Sequence, residues 1–107
     1  MSRKYTRLHI PLEVEMDFSS GAREARISDL SIGGCFVDSI LNVDEGERVS
    51  FIIRLSAQES LSLSGDIVYS MPGIGFGIRF DELTEEQRFH LEHLILKHGG
   101  STAEATE

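Results

Sequence analysis

Cysteine is almost missing from this sequence: Cys35 is the only one in 107 residues. One thiol cannot close an internal disulfide, which fits a reducing cytoplasm. Long apolar runs are missing too, and nothing approaches the ~18 residues that suggest a membrane span. The N-terminus carries charge from Arg3 onward and has no apolar core segment, so no secretory leader is expected. Cations are in deficit, with ten Lys and Arg against eighteen Asp and Glu and a net charge of -8. That balance excludes general DNA or RNA binding, which needs a basic face to displace counterions. What remains is one ordinary globular domain, 40% hydrophobic and 26% charged, with a short tail.

The scarce positive charge is unevenly placed. Arg3, Lys4 and Arg7 stand together at the start, and no acid precedes Glu13. A basic head on an acidic body attracts a small anion while rejecting a polyanion. The plainer alternative is a solvated terminus.

The apolar residues alternate in short runs. Leu8, Ile10, Leu12, Val14 and Met16 take every second position, the period of a half-buried strand. Pro11 donates no N–H, so it belongs on an edge or at a strand start. Ser19-Ser20-Gly21 is turn chemistry. Ala25 and Ile27 mark a second strand, and Cys35 and Val37 a short third. Val49, Phe51, Ile53 and Leu55 mark a fourth. Leu61, Leu63, Ile67 and Tyr69 continue the alternation, and after Met71-Pro72-Gly73 the last strand carries Ile74, Phe76, Ile78 and Phe80. Six short strands with hairpin-length turns predict an antiparallel barrel rather than βαβ units.

One helix follows. Thr84-x-x-Gln87 is a capping box, and Glu85 and Glu86 suit the positive end of a helix dipole. Leu91, Leu94 and Ile95 keep helical spacing, with Phe89 and Leu96 widening the stripe toward the barrel. Gly99-Gly100 stops the helix, and residues 99–107 read as a disordered tail.

Catalytic chemistry finds little support. Gly73-Ile74-Gly75-Phe76-Gly77 lacks the third glycine of a dinucleotide fingerprint and precedes a strand, so its glycines serve close packing. His90 and His93 share a helix face with Glu86, but on an acidic, exposed helix they read as surface residues. Cys35 reads as a buried small hydrophobe, because no local base activates it. Ser31 lacks the Gly-x-Ser-x-Gly elbow. No catalytic residue, metal site or cofactor is expected, and the chain reads as a binding module.

Asp29-Leu30-Ser31-Ile32-Gly33-Gly34 is the stretch that points to a ligand. It places a carboxylate, a hydroxyl and two glycines at a strand end, and glycines tolerate positive φ and let backbone approach a ligand. Arginine forks match phosphate oxygens and the O6/N7 edge of guanine. Together the two stretches suit a ligand carrying both groups.

Arg3-x-x-x-Arg7 followed by Asp29-x-Ser31-x-x-Gly34 resembles the paired signature of PilZ domains, bacterial receptors for cyclic di-GMP. The resemblance spans residues 3–97 and includes Glu45-Gly46-Glu47-Arg48-Val49, Gly75-Phe76-Gly77-Ile78-Arg79-Phe80 and the helix after Thr84. It implies a PilZ domain over residues 1–98, a six-stranded antiparallel β-barrel with a C-terminal helix. It also implies cyclic di-GMP contacts from Arg3 and Arg7, from Asp29 to guanine N–H groups, from Ser31, and close approach over Gly33 and Gly34. Lys4 adds charge beside them. Residues 1–7 are expected to be mobile until ligand orders them, a change that an effector protein reads. From a single domain's length the expectation is a cytoplasmic adaptor for motility, biofilm or exopolysaccharide control. No membrane insertion is expected. The alternative is a nucleotide-independent interaction module with the same fold.

Overall fold

The structure, a computed structural model, describes residues 12–18 and 21–97. Six strands form in chain order: β1 Leu12–Phe18, β2 Gly21–Leu30, β3 Gly34–Asp38, β4 Arg48–Arg54, β5 Ser60–Met71 and β6 Gly75–Phe80. Helix α1, Glu85–Lys97, follows. The strands close into a barrel in the order β1-β2-β3-β6-β5-β4, with every pairing antiparallel. The expected six-stranded barrel with one C-terminal helix is the observed architecture.

Alternation builds the interior. Val14, Met16 and Phe18 of β1 point inward between exposed Glu13, Glu15 and Asp17. Val49, Phe51 and Ile53 of β4 do the same, as do Leu61 and Leu63 of β5. Phe18 meets Phe76 edge to face at 6.1 Å between ring centroids, and Phe51 lies 5.8 Å from Phe80. Cys35 is buried among these residues, as its alternation predicted.

Two β-bulges break the period. One lies between Ile27 and Asp29 on β2, so Ile27 and Leu30 both face the core although three residues apart. The other lies between Ile67 and Tyr69 on β5. It corrects the expectation that Tyr69 continues the apolar face: the extra residue turns its ring outward, where it is 42% exposed. Ile74 also leaves its expected strand. It sits in the β5–β6 turn, exposed, with its N–H donating to the Met71 carbonyl.

The capping box forms as the spacing predicts. Thr84 N–H donates to Gln87 Oε1 at 2.9 Å, and Gln87 N–H donates to Thr84 Oγ1 at 3.0 Å. Gln87 Nε2 also donates to the Ser62 carbonyl at 3.0 Å, which fixes the start of α1 on β5. Leu91, Leu94 and Ile95 join the barrel core. Phe89 and Leu96 do not: they are 57% and 56% exposed, so the buried stripe is narrower than the sequence suggested. The expected helix stop at Gly99-Gly100 and the tail lie outside the described residues.

A surface tie links β4, β5 and the approach to α1. Arg48 grips both oxygens of Asp81 at 2.8 and 2.6 Å and reaches Asp66 at 2.8 Å, while Ser64 Oγ donates to Asp81 at 3.2 Å. Hydrogen bonding from Arg48 holds the Asp81 carboxyl below its ordinary range. A lowered folded pKa gives stability that is present above the unfolded value and lost as pH falls through the folded one. The melting-temperature gap between wild type and Asp81→Asn should therefore be present at neutral pH and vanish in strong acid. The pair is exposed, so the gap is small. A gap of constant size across that range would show that the tie is not electrostatic.

Candidate functional site

The Asp29–Gly34 stretch forms the end of β2, a tight turn and the start of β3. Asp29 pairs with Phe36, and Leu30 with Cys35, which leaves Ser31 to Gly34 to reverse the chain. Ser31 N–H donates to the Gly34 carbonyl at 2.8 Å and closes the hairpin. The Ser31 hydroxyl accepts from Gly33 N–H and donates to the Gly34 carbonyl, each at 3.3 Å. Ser31 is 5% exposed, so its hydroxyl serves the turn that presents Asp29.

The glycines differ from expectation. Gly33 and Gly34 do not adopt positive φ; among the described residues only Gly21, Gly46 and Gly73 do. Gly34 is fixed by a neighbouring strand. A Cβ there would overlap the Ile78 carbonyl oxygen and lie 3.4 Å from Arg79 Cα. Phe80 N–H donates to the Gly33 carbonyl at 3.0 Å, which latches the turn onto β6. The motif's last glycine therefore lets β3 approach β6 closely. Its absent side chain is a matter of barrel closure, whatever else passes over it.

The outer surface beside the turn is an ordered grid. In one row across the strands, Asp29 neighbours Phe36, Phe36 neighbours Gly77, and Gly77 neighbours Tyr69. In the next outward row Gly34 neighbours Arg79, and Arg79 neighbours Asp66. Gly75 and Gly77 serve close packing, as read from the sequence: a Cβ on Gly77 would run into the Tyr69 ring, and one on Gly75 would come within 2.7 Å of Phe36 Cε2. The sequence reading assigned Tyr69 and Arg79 to strands, did not single out Phe36, and gave none of the three a place beside the hairpin. The available signal was the repeated glycine on β6, which calls for large neighbours to cover it.

Asp29 and Ser31 thus come together with Gly33 and Gly34 at one end of β2 and β3. Arg3, Lys4 and Arg7 lie outside the described residues, as does the expected mobility of residues 1–7. Two concavities occur elsewhere. One of about 390 Å³ over β1, β2 and β4 is lined by Glu13, Glu15, Glu24 and Asp38 against Arg26 and Arg54, an acidic balance unsuited to a phosphate ligand. The other, about 540 Å³, runs between Arg23 on β2 and Gln87 on α1. Neither is lined by residues of the hairpin.

His90 and His93 stay near the helix surface, where the Phe89 ring lies 4.9 Å from His93. Among the described residues no three His, Cys, Asp or Glu side chains gather as a metal site. No helix among them is long and apolar enough to cross a membrane.

No curated protein matches the sequence. Solved structures do resemble the fold. The PilZ domain of YcgR from Escherichia coli with c-di-GMP superposes with a TM-score of 0.73 at 17% identity, covering 90% of each chain. The PilZ domain of CeSA from a cellulose-synthesizing bacterium gives 0.66 at 23%, covering 85% of this chain and 95% of that one. The Bacillus subtilis inhibitor of motility MotI/DgrA gives 0.66 at 20%, covering 91% of this chain and 51% of that one. Similarity at these identities establishes the fold. The profile of the PilZ domain family matches residues 1–97, nearly the whole length. With the closed barrel and the hairpin motif in place, the chain belongs to the PilZ domain family.

Proposed function

We propose that this protein is a cyclic di-GMP receptor whose N-terminal segment rearranges around the ligand and signals to a partner protein. The observation that carries the reading is the Asp29–Gly34 hairpin, which brings the carboxylate, hydroxyl and glycines of the motif together at one end of β2 and β3. Guanine offers two adjacent N–H donors on one edge, and a carboxylate accepts both. Arg3 and Arg7 supply planar forks for guanine O6/N7 and for phosphate. Family membership supports the same ligand, as does the presence of c-di-GMP in the YcgR structure. Ordering a charged segment on a small anion gives the switch, because the bound and free surfaces then differ. Control of motility, biofilm or exopolysaccharide in a bacterial cytoplasm belongs to this proposal, with a protein effector as its output.

The test is a calorimetric titration of purified protein with cyclic di-GMP and, in parallel, with cyclic di-AMP. Adenine lacks the paired N–H edge that Asp29 would read. Saturable binding of the guanine dinucleotide and none of the adenine one is expected. No heat and no change in melting temperature with either would leave the fold as a nucleotide-independent interaction module.

A further inference from the structure

We propose that the outer face of β1, β2 and β4 is a docking trough for a short basic, partly apolar segment of a partner protein. The two concavities described above are parts of one depression, because Glu15, Glu24 and Ile52 line both. Those three residues form one row across the sheet. Ile52 on β4 neighbours Glu15 on β1, and Glu15 neighbours Glu24 on β2. The trough lies apart from the Asp29–Gly34 hairpin, and its binding does not depend on the cyclic di-GMP reading.

The row sets like charges opposite each other. Facing residues on antiparallel strands have Cβ atoms ~5 Å apart, and equal charges there destabilise the pair. One row away Glu13 faces Arg26, an opposite charge. Glu15 has no cation across from it, only Glu24 on one side and Ile52 on the other. Asp17, next on the same face of β1, sits between Ala22 and Ser50 and adds a third carboxylate. None of Glu15, Asp17 and Glu24 forms a salt bridge among the described residues. Arg26 and Arg54 line only the first concavity and Arg23 only the second, so cations flank the acidic row without filling it. Charges on strands often guard a sheet edge against pairing, but a closed barrel has no edge to guard.

Room and apolar surface complete the trough. Ile52 is 38% exposed beside Glu15. Toward α1 the lining turns small, with Ser50, Ser62 and Ser64, and Gln87 closes that side through its bond to the Ser62 carbonyl. From β2 to β5 there are three strand spacings of ~4.8 Å, roughly 14 Å, the length of about four extended residues.

Charge selects the occupant. An acidic row repels the phosphates of nucleic acid and of an anionic lipid surface. A second copy of this chain, itself at -8, is repelled as well. A guanidinium or ammonium is attracted between Glu15 and Glu24, and an apolar residue next to it in the segment covers Ile52. A basic stretch of polypeptide carries both groups side by side.

The experiment is ¹⁵N NMR on the full chain without cyclic di-GMP, titrated with a short capped peptide of alternating Arg and Leu. A peptide of alternating Glu and Leu is the control. Saturable shifts of the Glu15, Glu24 and Ile52 amides are expected with the basic peptide only, while Ser31 to Gly34 stay unmoved. Glu15→Gln/Glu24→Gln should weaken that binding about tenfold. It should also raise the melting temperature by about 1–8 °C, since the facing charges are gone. The rise separates a lost site from a lost fold, and its absence would overturn the reading of the pair as an unmet cation site. Shifts spread over the acids of α1, or unchanged affinity in the double variant, would overturn the trough. Sedimentation at the same concentrations tests the other occupant: a dimer that the double variant breaks would make this face an interface between copies and overturn the partner reading. With no nucleotide present, none of these results bears on the receptor proposal.

Discussion

Replacing Gly34 with alanine should lower the melting temperature by roughly 10–20 °C in the absence of any ligand. The added Cβ would overlap the Ile78 carbonyl oxygen and sit 3.3 Å from that carbonyl carbon. Both atoms are backbone, so no rotamer relieves the clash, and β3 must move away from β6 where Gly34 pairs with Arg79. Overpacking of this kind costs about 1–3 kcal/mol, and a backbone obstacle puts it at the upper end. For a domain near 100 residues each kcal/mol moves the midpoint by about 4–8 °C. Gly77→Ala is the informative contrast. The atoms nearest its Cβ belong to the far end of the Tyr69 ring, which can swing outward, so a shift of a few degrees is expected. Scanning calorimetry of the two variants decides the matter. If Gly34→Ala melts like wild type, the glycine is there for the ligand alone. If it melts early, a binding motif contains a residue needed for the barrel itself, and lost binding in that variant says little about contact.

The same glycine shows where sequence reading stopped. Asp-x-Ser-x-x-Gly was legible as a motif and as a strand-end turn, because its composition is local. The reason for Gly34 was not legible, since it lies in Ile78, forty-four residues away in sequence and adjacent only once the barrel closes. Period-two alternation located all six strands, as each strand is wet on one side and buried on the other. It misplaced Tyr69, because a bulge inserts one residue and reverses every side chain beyond it. Leu30 was read only as part of the turn motif, and its core position follows from the bulge on β2. The capping box on α1 was read correctly from Thr84 and Gln87, whose bonds span three residues. Phe89 and Leu96 were assigned to the buried face by spacing alone. The strip of α1 that meets the barrel is only wide enough for Leu91, Leu94 and Ile95. For the site, the local Asp-x-Ser-x-x-Gly motif named Asp29 and Ser31, whereas the row from Asp29 through Phe36 and Gly77 to Tyr69 exists only through strand order.

Removing both head arginines should cost more binding than any change on the barrel. Arg3→Ala/Arg7→Ala takes the net charge from -8 to -10, so a dianionic ligand meets a more repulsive body and loses both guanidinium forks. A hydrogen bond to a charged group is worth about 1.5–3 kcal/mol net, and two such losses weaken affinity by at least about a hundredfold. Electrostatics adds a signature that simple misfolding would not reproduce. Charge contacts at a protein surface are screened with a Debye length of ~10 Å at 0.1 M salt and ~3 Å at 1 M. Wild-type affinity should therefore fall steadily across that range, while any residual affinity of the double variant should hold level or rise as salt masks the acidic body. The melting temperature without ligand is expected to be nearly unchanged if the two arginines serve the ligand rather than the barrel. Calorimetric titrations at low and high salt, run beside thermal melts, make the comparison. Equal affinity in the two proteins would put the phosphate contacts elsewhere, with Arg79 the first residue to test. Lost affinity with an early melt would mean that the head helps to hold the barrel. Lost affinity with an intact melt and a flattened salt response is the result that makes the two arginines the anion-reading half of the site, and Asp29 the half that reads guanine.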